Sequence, residues 1–161
     1  MATELCRKKN LMKPLFILLA VFAISCIVYK ITSADFNINL SGTIALSIML
    51  LFTAGGHFAF TKGMVMMIPS FIPLRRELVY ATGILEIVFA IALLIPSWRT
   101  PAAWLLIFFL ILILPSNIYA AINKVDYQKA TFNGNGLNYL WFRIPLQILF
   151  IWWTYFFAIS K

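Results

Sequence analysis

The chain has 161 residues, of which 63% are hydrophobic and 11% charged, and it carries a formal charge of +8. A water-soluble domain is about half apolar and about a quarter charged, so this composition excludes a single soluble core and makes lipid the solvent of one compact membrane domain. The positive charge does not describe a nucleic-acid surface, because the basic residues stand at the ends of apolar runs rather than on one polar face, where their role is topological.

Residues 1–13 form a basic N-terminus containing Arg7-Lys8-Lys9, and the apolar run Pro14–Ile31 follows it. The same order opens a secretory signal, and Ala23-Ile24-Ser25-Cys26 approximates a lipoprotein cleavage site. The lack of a good small-residue site before Tyr29-Lys30-Ile31 favours an uncleaved anchor. The two cysteines, Cys6 and Cys26, form no C-x-x-C. On a helix their spacing of about twenty residues corresponds to roughly 30 Å, which argues against a thiol–disulfide catalyst with its own redox pair and leaves Cys26 as a small apolar filler. Asn39-Leu40-Ser41 matches a glycosylation acceptor but abuts the next span and is read as chance.

Four more runs pass the length test of about 17–25 residues for a transmembrane helix: Ser41–Phe60, Leu78–Ile95, Pro101–Ile122 and Leu137–Ile159. Pro14 and Pro101 are placed to open helices, where a missing N–H costs nothing, and Pro96 closes the third span. Between the second and third spans, residues 61–77 carry the apolar stretch Met64–Leu74 with Pro69 and Pro73. It is too short to cross and is expected at the interface or in the mouth of the bundle. Met64, Met66 and Met67 are read as packing and not as a metal site, since soft metal sites add His or Cys. Residues 123–138 are polar, and Gly134-Asn135-Gly136 marks a turn. The expected fold is an all-α membrane bundle of five spans.

With the N-terminus placed in the cytoplasm, the inner side collects Arg7, Lys8, Lys9, Lys13, Lys62, Arg75, Arg76, Lys124 and Lys129, and the outer side Lys30, Arg99 and Lys161. Nine against three is a positive-inside bias. It predicts a multi-pass membrane protein whose N-terminus lies inside and whose C-terminus lies outside.

Glu86 is the one acidic residue inside a predicted span, and Arg143 the one basic residue inside a span away from its end. Charges at that depth are kept when they face a bundle interior, find a partner or do chemistry. His57, Asn117 and Gln147 join them. Counted at about 1.5 Å per residue from the helix ends, all five fall in the cytoplasmic half of the membrane. They are therefore expected to converge on one pocket that opens toward the Pro69/Pro73 loop. Arg143 stays charged and needs an anion, so Glu86 and Arg143 are expected to pair. Gln147 shares the face of Arg143 one turn along. Asn117 would satisfy leftover lone pairs, and His57 would titrate or bind a carbonyl oxygen. Pro115 and Pro145 each free a carbonyl one turn earlier.

The order and spacing of Gly55-Gly56-His57-Phe58, Met67-Ile68-Pro69-x-Phe71-Ile72-Pro73, Tyr80-x-x-Gly83-x-x-Glu86, Leu94-Ile95-Pro96, Pro115-x-Asn117-Ile118-Tyr119 and Arg143-x-Pro145-x-Gln147 resemble the DoxX-like family of small bacterial membrane proteins. The resemblance covers roughly residues 41–158. It implies a four-helix membrane domain to which residues 14–31 add an N-terminal helix. It also implies a link to thiosulfate:quinone oxidoreduction or redox-stress systems, with His57, Glu86, Asn117, Arg143 and Gln147 as the matching residues. The chain lacks a redox cysteine pair, a nucleophile–base pair, a metal-ligand set and a nucleotide-binding loop, which argues against an enzyme acting alone.

Three functions follow as alternatives. A quinone- or lipid-binding subunit of a membrane redox system would use the polar cluster to hold a head group. A structural or assembly factor for other membrane proteins would bury a dry, satisfied Glu86–Arg143 pair and leave no cavity of about 300 Å³ or more. A proton or solute path would place water on both sides of Glu86, with broken helices or an inverted repeat; no repeat is present, and this alternative ranks last.

Overall fold

The computed structural model describes residues 12–32 and 37–160. Arg7-Lys8-Lys9, Cys6 and Lys161 lie outside the described residues. The chain runs through α1 (Lys13–Thr32), α2 (Ile38–Ala59), a short α3 (Thr61–Val65), α4 (Arg75–Leu94), α5 (Pro96–Ile122) and α6 (Leu137–Thr154), which continues as a π-helical turn, Tyr155–Ile159. Five helices are long and apolar enough to cross a membrane: α1, α2, α4, α5 and α6 with its π turn. Among the described residues there is no strand, only an isolated antiparallel bridge between Asp126 and Thr131.

Two helix boundaries differ from those read off the apolar runs. Pro96, not Pro101, begins α5, and Pro101 lies within it; Arg75-Arg76-Glu77 belong to α4. Hydropathy marks where lipid begins, whereas a helix continues as long as its backbone groups find partners. At the α4–α5 corner the Arg99 Nε donates to the Leu93 carbonyl at 3.1 Å, satisfying one of the last acceptors of α4.

Helices α2, α4, α5 and α6 share a core that includes Leu46, Leu50, Phe89, Leu93, Leu106, Leu110 and Phe150. Helix α1 is peripheral. Leu18 is its one fully buried side chain, and Phe22 packs edge-on against Trp153 at 5.0 Å between ring centres. The outward faces are apolar on every long helix, as at Ile24, Phe52, Ile84, Phe108 and Trp152.

Close helix contacts lock the bundle at both ends. Where α2 begins, the Trp153 indole donates to the Gly42 carbonyl at 3.0 Å. The buried Thr43 hydroxyl lies 2.8 Å from the Asn39 carbonyl and 3.3 Å from that of Phe157. A Cβ on residue 42 would sit 2.3 Å from the Phe157 ring, so only glycine admits it. Where α2 ends, it crosses α4 at Gly83, and a Cβ there would lie 2.8 Å from the Cβ of His57. The α2–α4 contact is the most extensive in the bundle.

The crossing predicts opposite outcomes for two alanine substitutions. Gly83→Ala forces the helices apart and lowers stability by about 1–3 kcal/mol, the usual cost of overpacking. Gly55→Ala meets no atom within 4 Å and is neutral or stabilising by up to about 1 kcal/mol through helix propensity. Reversible unfolding in mixed detergent, followed by circular dichroism, measures both; equal stability of the two variants would disprove the tight crossing.

Candidate functional site

Because Gly83 carries no side chain, His57 from α2 settles onto the α4 face formed by Val79, Thr82, Gly83 and Glu86. Its Nδ1 lies 3.1 Å from the Val79 carbonyl and 3.1 Å from the Thr82 hydroxyl. The Thr82 hydroxyl has the carbonyls of Leu78 and Val79 within 3.0 and 2.9 Å, and it spends its single proton there. A carbonyl and an occupied hydroxyl both accept, so the proton of the neutral ring sits on Nδ1. The opposite ring nitrogen, Nε2, faces the Glu86 carboxyl at 3.4 Å.

With Nδ1–H fixed, the Nε2–Oε1 contact is attractive only when one more proton lies between them. Either the imidazolium donates to a carboxylate or a carboxylic acid donates to a neutral ring. In both arrangements the pair as a whole is electrically neutral. The surroundings favour such compensation, since Glu86 is 6% exposed and a lone charge at that burial is strongly disfavoured.

Glu86 therefore pairs with His57, and the expected Glu86–Arg143 ion pair is not formed. The physical reason is the Gly83 crossing, which brings α2 to α4 more closely than α6 comes to either. Arg143 lines the same cavity as His57 and Glu86, with its Nε buried and without a hydrogen-bond partner. Glu86 Oε2 is likewise buried without a partner.

The cavity has a volume of about 530 Å³. Met49, Leu50, Leu110 and Phe150 form its apolar part, and Lys13 and Pro14 of α1 line it from the N-terminal end of that helix. Met64 and Met67, from α3 and the segment after it, also line it, so the apolar loop between α2 and α4 forms part of the wall. Asn117 and Gln147 are not among its lining residues. Asn117 Nδ2 donates to the Ile113 carbonyl within its own helix at 3.2 Å. Gln147 Nε2 donates across to the Leu110 carbonyl, one residue before the carbonyl that Pro115 leaves free. The five expected residues thus divide into three at the cavity and two in the core, of which Gln147 ties α6 to α5 and Asn117 bonds within its own helix.

The loop between α5 and α6 supplies groups that the sequence pattern does not mark. Asp126 and Thr131 exchange backbone hydrogen bonds at 2.7 and 3.3 Å, closing a tight hairpin, and Asp126 Oδ1 accepts from the backbone N–H of Gln128 and Lys129. The hairpin presses on α3 so closely that a Cβ on Gly63 would overlap the Tyr127 carbonyl. This contact turns Tyr127 and Gln128 into the cavity, where Tyr139 of α6 joins them. Tyr127 meets the Phe60 ring edge-on at 6.0 Å, and its hydroxyl oxygen accepts from Gln128 Nε2 at 3.3 Å. Burial pushes the Tyr127 phenol above its ordinary value, with the nearby Tyr139 adding to the shift. It is thus a neutral donor at physiological pH. The signal available in the sequence was the Asp126 turn with Gly134, but nothing there fixes which way Tyr127 points.

Among the described residues no three His, Cys, Asp or Glu side chains group closely enough to hold a metal ion. What the cavity offers a ligand is the donor side chains of Arg143, Tyr127 and Tyr139, the carboxyl of Glu86 held by His57, and an apolar floor.

A family described as a domain of unknown function (DUF8561) matches residues 46–158, and the chain belongs to that family. The matched segment begins within α2 and leaves α1 outside it. No curated protein and no solved structure matches the chain.

The pairing assigned to Glu86 predicts where energetic coupling lies. In a cycle of His57→Ala and Glu86→Gln the two changes are non-additive by about 0.5–3 kcal/mol, as for groups in contact. In a cycle of Arg143→Gln and Glu86→Gln they add within about 0.5 kcal/mol. Unfolding free energies in detergent measure both cycles, and the reverse pattern would restore Arg143 as the partner of Glu86.

Proposed function

We propose that this member of the DUF8561 family is a ligand-binding integral membrane subunit, of the DoxX-like type, that holds a quinone or a lipid in the cavity beside the His57–Glu86 pair. The observation that carries the reading is a cavity of about 530 Å³ lined by His57, Glu86 and Arg143, of which Glu86 and Arg143 each keep a buried polar atom without a partner. That volume lies in the range of small-molecule sites, roughly 300–1,000 Å³. The residues suit a ring with carbonyl oxygens. Arg143, Tyr127 and Tyr139 would donate to the oxygens, the His57–Glu86 pair would hold a proton beside them, and Met49, Leu50, Leu110 and Phe150 would line an apolar tail. A quinone supplies reversible electron and proton uptake when bound; the protein residues supply position, hydrogen bonds and exclusion of water. A purely structural lock instead calls for a satisfied Glu86–Arg143 pair and no ligand-sized space, and neither condition is met.

The same reading takes α2, α4, α5 and α6 as the family domain and α1 as an added helix, since the family match begins at Leu46. It sets the protein in a bacterial inner membrane with the α1 N-terminus inside. The apolar outward faces and the basic residues Lys62, Arg75, Arg76, Lys124 and Lys129 at one end of the bundle support that orientation.

Mass spectrometry of quinones and lipids that co-purify with the gently solubilised protein tests the function. Wild type is expected to retain a ligand that Glu86→Gln or Arg143→Gln loses; three folded proteins with the same non-specific lipid content would sink the reading. The orientation has its own test. In spheroplasts of a Cys-free background, Arg99→Cys is expected to react with a membrane-impermeant maleimide and Lys129→Cys to react only after lysis, and the opposite labelling would invert the topology.

A further inference from the structure

We infer that the cavity selects an amphiphile with a single anionic head group, which Arg143 binds, above ligands that share its apolar tail but are uncharged. The inference rests on the proposal that the cavity holds a ligand, and of the two classes named there it selects an anionic lipid over an uncharged quinone. Its basis is a count of charge. The geometry of His57 fixes the proton on Nδ1 toward Val79 and makes the His57–Glu86 pair neutral whichever partner holds the shared proton. Tyr127 is held neutral by burial. Arg143 is a cation at any physiological pH, makes no ion pair among the described residues, and has its Nε buried without an acceptor. Among the lining residues Arg143 and Lys13 are therefore cations that no lining carboxylate balances, and Arg143 is the one carried on a helix of the polar cluster.

The remaining features agree with an anion carried on an apolar tail. A guanidinium binds carboxylate or phosphate oxygens in a planar, two-bonded geometry. The Tyr127 hydroxyl oxygen is already acceptor to Gln128, which leaves its proton to donate. Lys13 adds a second positive charge where α1 meets the cavity. Met49, Leu50, Leu110 and Phe150 offer the opposite end nothing polar except backbone. A free inorganic anion would fill the head-group end and leave this apolar surface uncovered.

Binding of radiolabelled palmitate to the full-length protein in detergent tests the inference, with methyl palmitate as the uncharged counterpart and inorganic phosphate as the tail-less anion. Palmitate is expected to bind at least about tenfold more tightly than its methyl ester, the size of effect that a charge-assisted hydrogen bond supplies. Arg143→Gln is expected to abolish the difference, and Arg143→Lys, which keeps the charge, to retain most of it. Equal affinity for acid and ester in wild type would overturn the anionic class while leaving a ligand cavity in place. Displacement of palmitate by equimolar phosphate would overturn the apolar tail. No binding of either palmitate or ester to a protein that still co-purifies with a ligand would overturn the inference alone. No binding together with no co-purifying ligand would overturn both it and the function proposed above.

Discussion

The crossing of α2 over α4 at Gly83 is the constraint on which the polar interior depends. With hydrogen in place of a side chain at that point, the His57 ring reaches past the helix surface. It bridges two positions seven residues apart on α4, from the Val79 carbonyl at one nitrogen to the Glu86 carboxyl at the other. A larger residue at 83 would hold the ring away, and Glu86 would be left to look for a partner elsewhere. Arg143 and Lys13 would then be the cations left along the cavity. The backbone approach of two helices thus decides which of two cations neutralises the carboxyl, and so whether the other one is free to face a ligand.

In lipid, burial of apolar side chains gives helices little reason to associate, and small residues and polar contacts carry more of the work. The bundle follows that logic. Gly42, Gly63 and Gly83 each stand where another residue approaches too closely for a Cβ. Trp153 and Thr43 bond across α2 and α6 at one end, and His57 bonds across α2 and α4 toward the other. Gln147 joins α6 to α5 between them. With the helices pinned in this way, the space left among α2, α4 and α6 is not free to collapse, and the hairpin that carries Tyr127 covers part of it.

Much of this was legible in the sequence. Lengths of apolar runs gave all five long helices, because bilayer thickness sets a narrow length and backbone hydrogen bonds must be met within each segment. The ends were less legible at Pro101 and at Arg75, where the helix outlasts the apolar run. The depth count brought His57, Glu86 and Arg143 to one level, and all three line one cavity, since the rise per residue is nearly constant along a helix. It could not assign the pairing, because depth says nothing of rotation about the helix axis or of interhelical distance. Asn117 and Gln147 have the same depth signature but face core carbonyls. Tyr127 escaped for the opposite reason: its position depends on a hairpin folding back over Gly63, a contact between segments about sixty residues apart.

The arrangement also bears on whether a polar cluster here is only a helix lock. A lock is most favourable when every buried donor meets an acceptor, and leaving one unmet costs about 1–3 kcal/mol. Arg143 Nε and Glu86 Oε2 are both unmet, in the same cavity. A single water takes up about 30 Å³ in the liquid, against about 530 Å³ of cavity. Filling that volume with water would wet Met49, Leu50, Leu110 and Phe150, which is unfavourable in proportion to the apolar area exposed. Filling it with an apolar group alone would leave the arginine uncompensated. An occupant that met both demands would be polar at the Arg143 end and apolar at the Phe150 end, and membranes are rich in molecules built that way.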